Sequence, residues 1–248
     1  MTLRDLAHSV IHVLPRTLGH PTGLVGMPLA TIMALRLKKA SLRCRTIKDL
    51  VDLTYSLRLG RLNIRPAQVK EEIFALLQLI ARARPETILE IGTATGGTLF
   101  LFCRAARSNA TLISIDLPSG PFGGAYPEWK IPLYRSFALE RQKIILVRAD
   151  SHNPIVLERV KKILSDGKLS FLFVDGDHTY KGVKRDFVMY AKLVKPGGIV
   201  AFHDIVPGPA NSVGEVPLFW SKIRGEFRHK ELIKNRQQGG YGIGVLYV

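Results

Sequence analysis

The chain has 248 residues, 46% hydrophobic and 23% charged, which suits one α/β domain with an N-terminal extension and leaves ample chain for a core. No run of eighteen or more apolar residues is free of charge, and the start Met1-Thr2-Leu3-Arg4-Asp5 leads into no small-residue cleavage pattern, so neither a spanning helix nor a secretory leader is expected and a cytoplasmic location is. The formal net charge is +16, of which residues 1–70 carry +9 (twelve Lys/Arg against three Asp/Glu), a field that favours nucleic acid, acidic lipid or phosphorylated substrates without choosing among them.

Residues 1–65 read as a basic helical extension. Pro15, Gly19, Pro21, Gly23, Gly26 and Pro28 interrupt its early part. Leu29 to Leu37 then predicts a short helix ending in Arg36-Leu37-Lys38-Lys39, where cations suit the helix C-terminus. Its apolar residues beside the basic cluster fit a membrane surface, a subunit partner or the protein's own core. Thr46 with Asp49 three residues later predicts a capped helix, continuing to Leu59.

From Pro66 onward the pattern is regular, and residues 66–248 read as one domain. Pro66, Glu71 and Glu72 mark a helix start, with Val69, Ile73, Leu76, Leu77 and Ile80 on one face. Strands follow at Thr87–Ile91, Ala110–Ile115, Lys143–Val147, Leu169–Val174 and Gly198–Phe202, separated by helices at Leu99–Ala106, Pro154–Leu164 and Lys181–Leu193. Val213–Ile223 reads as a further helix, and Lys230–Ile233 and Gly242–Val248 as a closing antiparallel hairpin. Alternation of this kind predicts a mostly parallel sheet covered on both faces.

Chemistry-bearing residues fall at the C-terminal ends of these strands, where open α/β sheets bind ligands. Glu90-Ile91-Gly92-Thr93-Ala94-Thr95-Gly96-Gly97 is a glycine turn between strand and helix. Ala94 stands where a dinucleotide fingerprint has its second glycine, which argues against NAD or FAD. Asp116 ends the second strand and suits ribose hydroxyls, while Asp150 with Ser151 ends the third and suits the adenine side. Asp175, Asp177 and His178 follow the fourth strand, and His203 and Asp204 follow the fifth. Carboxylates with an imidazole suit Mg²⁺ or Mn²⁺, and Asp177, His178 or His203 is positioned to accept a proton. Without a metal, the same acids serve as helix caps or turn acceptors. Pro118 to Pro132, with Tyr126 and Trp129, reads as a substrate wall or lid, its aromatics serving either to stack on a ligand or to pin the segment. Cys44 and Cys103 supply neither a disulfide framework nor a multi-cysteine zinc site.

Glu90-x-Gly92-x-x-x-Gly96, the Asp116 and Asp150 strand ends and the terminal hairpin resemble the class I methyltransferases over residues 66–248. The resemblance implies a Rossmann-like seven-stranded sheet and S-adenosylmethionine as cofactor. It places the methionine part on the loop carrying Glu90, Gly92, Thr93 and Gly96, the ribose on Asp116, and the adenine by Asp150 and Ser151. Asp175-Gly176-Asp177 and His203-Asp204 are similar to the sugar O-methyltransferases of the macrocin type and to cephalosporin-hydroxylase-like proteins. That likeness implies Asp175, His203 and Asp204 as ligands of a divalent cation, with Asp175 also beside the cofactor and Asp177 as base. His203 departs from the family, where an acid is common. The expected activity is O-methylation of a sugar, glycolipid or natural-product hydroxyl. An RNA methyltransferase is the rival that the charge invites, although no zinc-knuckle spacing or arginine-rich repeat accompanies it, and a non-catalytic nucleotide-binding protein is a third reading. A homodimer through the apolar N-terminal segment is a further expectation.

Overall fold

The computed structural model describes residues 23–119, 125–165 and 167–248. Residues 1–22 and 120–124, which include the expected breaks at Pro15, Gly19 and Pro21 and part of the expected lid, lie outside them.

The described chain opens with α1 (Gly23–Ser41), which runs straight through Gly26 and Pro28, where the sequence predicts interruptions. Tertiary burial overrides local propensity here. Leu29, Ala30, Ile32, Met33 and Leu37 are buried, and Gly26 lets the helix backbone approach the Trp129 ring, 2.5 Å from where a Cβ would stand. Helix α2 (Ile47–Ser56) has the predicted capping box: Thr46 Oγ1 accepts the Asp49 N–H, and Asp49 Oδ2 accepts the Thr46 N–H. It ends before Leu59, because the chain turns into a small antiparallel hairpin, β1 (Arg58–Leu59) and β2 (Leu62–Asn63). The next helix, α3, covers Lys70–Ala83 rather than starting at Pro66. Residues 64–69 are drawn out across the sheet's ligand edge, and the Ile64 carbonyl lies where a side chain at position 97 would stand.

The remaining elements follow the expected alternation: β3 (Thr87–Ile91), α4 (Gly97–Ala105), β4 (Thr111–Asp116), α5 (Ile131–Arg135), β5 (Lys143–Arg148), α6 (Pro154–Leu164), β6 (Leu169–Val174), α7 (Tyr180–Tyr190), β7 (Val194–His203), α8 (Ala210–Val213), α9 (Val216–Ile223), β8 (Arg228–Leu232) and β9 (Ile243–Tyr247). The large sheet has the order β5-β4-β3-β6-β7-β9-β8. Strands β3 to β7 are parallel, and β9 runs antiparallel to both β7 and β8. Chain order steps outward from β3 through β4 to β5, then returns to the other side at β6. The crevice between the ends of β3 and β6 is thus the topological switch point where such sheets bind ligands.

Both sheet faces are covered, which explains why β6 is buried along its whole length and apolar but for Ser170. One face carries residues of α1, α3 and α4, centred on Phe102, whose ring meets Phe171 and Phe173 edge-on at 5.3 Å. The other carries Val156 and Val160 of α6, Tyr190 of α7 and Trp220 of α9. Tyr126 and Trp129 are buried in the first cluster, and Tyr126 packs on Tyr134 with ring centroids 4.8 Å apart. Of their two expected roles, the structure shows the packing one: they pin residues 125–135 between α1 and the sheet.

No helix among the described residues is long and apolar enough to cross a membrane. Gly26→Val would drive a branched side chain into Trp129. The variant is expected to lose about 1–3 kcal/mol of stability, as overpacking does, in urea unfolding followed by tryptophan fluorescence.

Candidate functional site

The β3–α4 turn forms the floor of the site. Gly92 has φ 90, and a Cβ there would lie 1.9 Å from the Asp175 carbonyl oxygen, so only glycine lets the ends of β3 and β6 close on each other. Asp116, at the end of β4, holds the turn. Its Oδ2 accepts the N–H groups of Thr93 (3.1 Å) and Ala94 (2.8 Å), and its Oδ1 accepts that of Ala125 (3.0 Å). Burial raises its pKa against the pull of these amides. Tyr134 Oη donates to the Ala94 carbonyl at 2.6 Å, and Thr95 Oγ1 to the Arg65 carbonyl at 2.7 Å.

Across the switch point, the ends of β6 and β7 bring two carboxylates and two imidazoles together. Asp175 Oδ1 lies 3.1 Å from His203 Nδ1 and 3.5 Å from His178 Nε2. Asp204 Oδ2 lies 3.4 Å from His203 Nδ1 and 3.5 Å from His178 Nδ1. Asp204 adopts φ 59, a left-handed conformation uncommon for a non-glycine residue, and its Oδ1 accepts the Tyr241 N–H at 3.2 Å. His178 Nδ1 is 2.6 Å from the Ser212 carbonyl, an arrangement that makes Nδ1 the donor and turns Nε2 towards Asp175. Burial opposes charging of His203, but the adjacent Asp175 and Asp204 outweigh it and raise the imidazole to about 10. Burial likewise opposes ionisation of Asp175, and the two histidines outweigh it and lower its pKa. Asp175 and His203 thus favour each other's charged form.

One ligand atom each from Asp175, His178 and Asp204 lies within 4.8 Å of the others, a spacing that admits a metal ion. His203 Nδ1, expected among the ligands, lies beside both carboxylates, and His178 faces the same pair. His178 lies only four positions past Val174, the last residue of β6, and the α7 entry folds it back over Asp175.

All these groups face one cavity of about 650 Å³, the size of a small-molecule site. Gly92, Thr93, Asp116, Asp150, Ser151, Asp175, Asp177, His178, His203 and Asp204 lie on its wall as expected. Glu90 and Gly96 do not. Gly96 (φ 84) serves as N-cap of α4, and Glu90 is fully buried behind the wall, where its Oε1 accepts the Thr98 hydroxyl and its Oε2 has no partner. Three wall residues have their side chains engaged in turns or in the core. Asp177 Oδ1 accepts the Thr179 N–H at 2.9 Å, Asp150 Oδ1 the His152 N–H at 2.8 Å, and Ser151 Oγ donates to buried Asp186 at 2.7 Å.

The sequence reading missed Gln68. It is 4% exposed, donates through Nε2 to Asp175 Oδ2 at 2.7 Å, and leaves Oε1 buried without a partner on the cavity wall. The available signal was Pro66-Ala67-Gln68, which looks like a helix start but forms an extended strap, anchored by Tyr55 Oη on the Gln68 carbonyl at 2.5 Å.

Comparison with known proteins agrees with this fold. Residues 89–205 match the model of a methyltransferase domain family. An O-methyltransferase of Streptomyces achromogenes, TomG, involved in tomaymycin synthesis and solved in complex with S-adenosylmethionine, superposes with a TM-score of 0.53 at 15% identity, covering 100% of this chain and 99% of that one. The fold is that of the class I methyltransferases. Two curated relatives, the uncharacterized protein y4gI of Sinorhizobium fredii (strain NBRC 101917 / NGR234) and the uncharacterized protein R132 of Acanthamoeba polyphaga mimivirus, are 30% and 31% identical over 51% and 48% of this chain. The matches span 14% and 51% of those proteins' own lengths.

Burial pushes Glu90 up to about 8 from its ordinary 4.5, and nearby Asp116 and Asp175 add to the rise. Between these two values the folded chain keeps a proton that the unfolded chain releases, so stability falls as pH rises through this window. The loss is expected to be on the order of a few kcal/mol. Glu90→Gln, which mimics the neutral acid, should flatten the pH dependence in denaturant titrations from pH 5 to 9; an unchanged slope would show that Glu90 ionises normally.

Proposed function

We propose that the protein is an S-adenosylmethionine-dependent O-methyltransferase acting on a small-molecule hydroxyl, such as that of a sugar, glycolipid or natural product, with assistance from a divalent cation. The observation that carries this reading is the meeting, in one cavity, of the Asp116-tied glycine turn and the Asp175–His178–Asp204 cluster.

The residues present fit the cofactor. The turn offers backbone with little side chain in the way, and Asp116 Oδ1, which accepts the Ala125 amide, has a second lone pair available to a ribose hydroxyl, whereas Oδ2 already accepts two amides. Gln68 Oε1, buried and unpartnered on the wall, awaits a donor such as an ammonium or a hydroxyl. Asp150 and Ser151 close the adenine side. When bound, S-adenosylmethionine supplies an electrophilic methyl group on its sulfonium.

The chain's own residues have three tasks. Asp116 and the turn orient the cofactor, a contribution of positioning. Asp175, His178 and Asp204 would hold Mg²⁺ or Mn²⁺, hard-ligand chemistry that acidifies a hydroxyl. Asp177 is then the proton acceptor we favour: one oxygen is fixed by the Thr179 amide, which sets the carboxylate at the cavity wall beside the cluster. His203 positions the two carboxylates from behind, since its Nδ1 faces both and its Nε2 is buried without a partner.

Calorimetric titration with S-adenosylhomocysteine, after chelation and again with Mg²⁺ or Mn²⁺, tests the reading. Micromolar binding is expected, about −8 kcal/mol, with Asp116→Asn weaker by about tenfold or more. Metal binding should vanish in Asp204→Asn; cofactor binding with no metal uptake would leave the cofactor assignment standing and remove the cation. No cofactor binding in either condition would remove both. With hydroxyl acceptors screened by S-adenosylhomocysteine release, Asp177→Asn should lose roughly 10²–10⁴-fold in turnover at unchanged cofactor affinity.

A further inference from the structure

Helix α1 buries one side and leaves the other without a partner among the described residues. The exposed side bears Met27, Thr31 and Leu35 at intervals of four, and the turn that follows continues the register to Leu42, whose N–H bonds the Lys38 carbonyl. Met27 is 54% exposed, Leu35 52% and Leu42 80%, high values for large apolar side chains grouped on one helix. Around them stand Arg36, Lys38, Lys39, Arg43 and Arg45, all exposed, and the helix contains no acidic residue. No ion pair with a described residue occupies these five cations, in contrast to Lys48, which pairs with Asp52 at 2.9 Å.

We infer that this face docks on an anionic lipid surface, with the helix lying in the interface plane. The inference is independent of the proposed activity and uses none of the site residues. The pattern matches the two demands of an interfacial helix: apolar side chains that enter the acyl boundary and cations that reach back to acidic headgroups. Charge complementarity selects this occupant. A second copy of the same face would bring five unpaired cations against five others. A nucleic acid would satisfy the cations but leave Leu35 and Leu42 among phosphates, with no apolar surface to cover them.

Docking there would also bear on the site's surroundings. The opposite side of α1 holds Trp129, and the segment that follows it carries Tyr134, which donates to the Ala94 carbonyl of the glycine turn. The lipid-facing helix is therefore two contacts from the cavity floor.

Co-sedimentation of the full chain with vesicles tests the inference, comparing phosphatidylcholine alone with phosphatidylcholine enriched in phosphatidylserine. Binding is expected to be at least about tenfold stronger to the anionic vesicles and to fall about tenfold in both Lys38→Glu/Lys39→Glu and Leu35→Asp/Leu42→Asp. The four substituted positions are on the surface, and unchanged thermal unfolding of the variants will exclude loss of fold. Absence of a preference for anionic vesicles would overturn the inference. So would binding that the leucine pair leaves intact, which marks a general polyanion surface, or a dimer in sedimentation equilibrium that the leucine pair dissociates, which assigns the face to a second copy.

Discussion

The Asp116 carboxylate is the interaction on which the site depends. Three backbone amides converge on it from two separate stretches of chain, Thr93 and Ala94 of the glycine turn and Ala125 of the segment after β4. A buried carboxylate is costly unless hydrogen-bonded, and unpaired buried amides are costly as well, so each side requires the other. The result is a turn fixed before any ligand arrives, on a strand end that the parallel sheet places at its switch point. Tyr134 and Thr95 tie the same turn to α5 and to the strap before α3. The floor of the cavity is thus assembled from four parts of the chain, and none of them can move without breaking bonds to the others.

The opposing wall works by charge rather than by amides. Asp175 and Asp204 would repel at this distance, and His178 and His203 would resist charging when buried. Interleaved, the four groups stabilise one another. Such a cluster has two uses, as a holder of a cation or as a reservoir of protons, and the left-handed backbone at Asp204 shows that the chain accepts local strain to complete it.

Much of this was legible in the sequence because strand ends announce themselves. Apolar runs stopping at Asp116, Asp175 and His203-Asp204 identify both the sheet and its ligand edge, and the boundaries of β6 and α6 agree with the reading to the residue. Contacts between segments distant in sequence were harder to read. Gly26 and Pro28 look like breakers until the Trp129 ring and the buried face of α1 are known. Glu90 looks like a ligand contact, but it faces Thr98 behind the wall. His178 and His203 are separated by a whole crossover, and only the fold brings both beside the Asp175 and Asp204 carboxylates. Gln68 reaches Asp175 across 107 positions of sequence, and no local pattern encodes that meeting.

The strap that carries Gln68 ties residues 55–68 to the cavity. The Ile64 carbonyl rests on Gly97, the Arg65 carbonyl takes the Thr95 hydroxyl, and Tyr55 of α2 secures Gln68 from outside. Arg65, Pro66, Ala67 and Gln68, all before α3, therefore line the cavity. The same sheet transplanted without this stretch would be left with an open side at its ligand edge, and one joined to a different leading segment would acquire a different wall. Exchange of that segment is a route by which one sheet could come to admit new ligands without altering a strand.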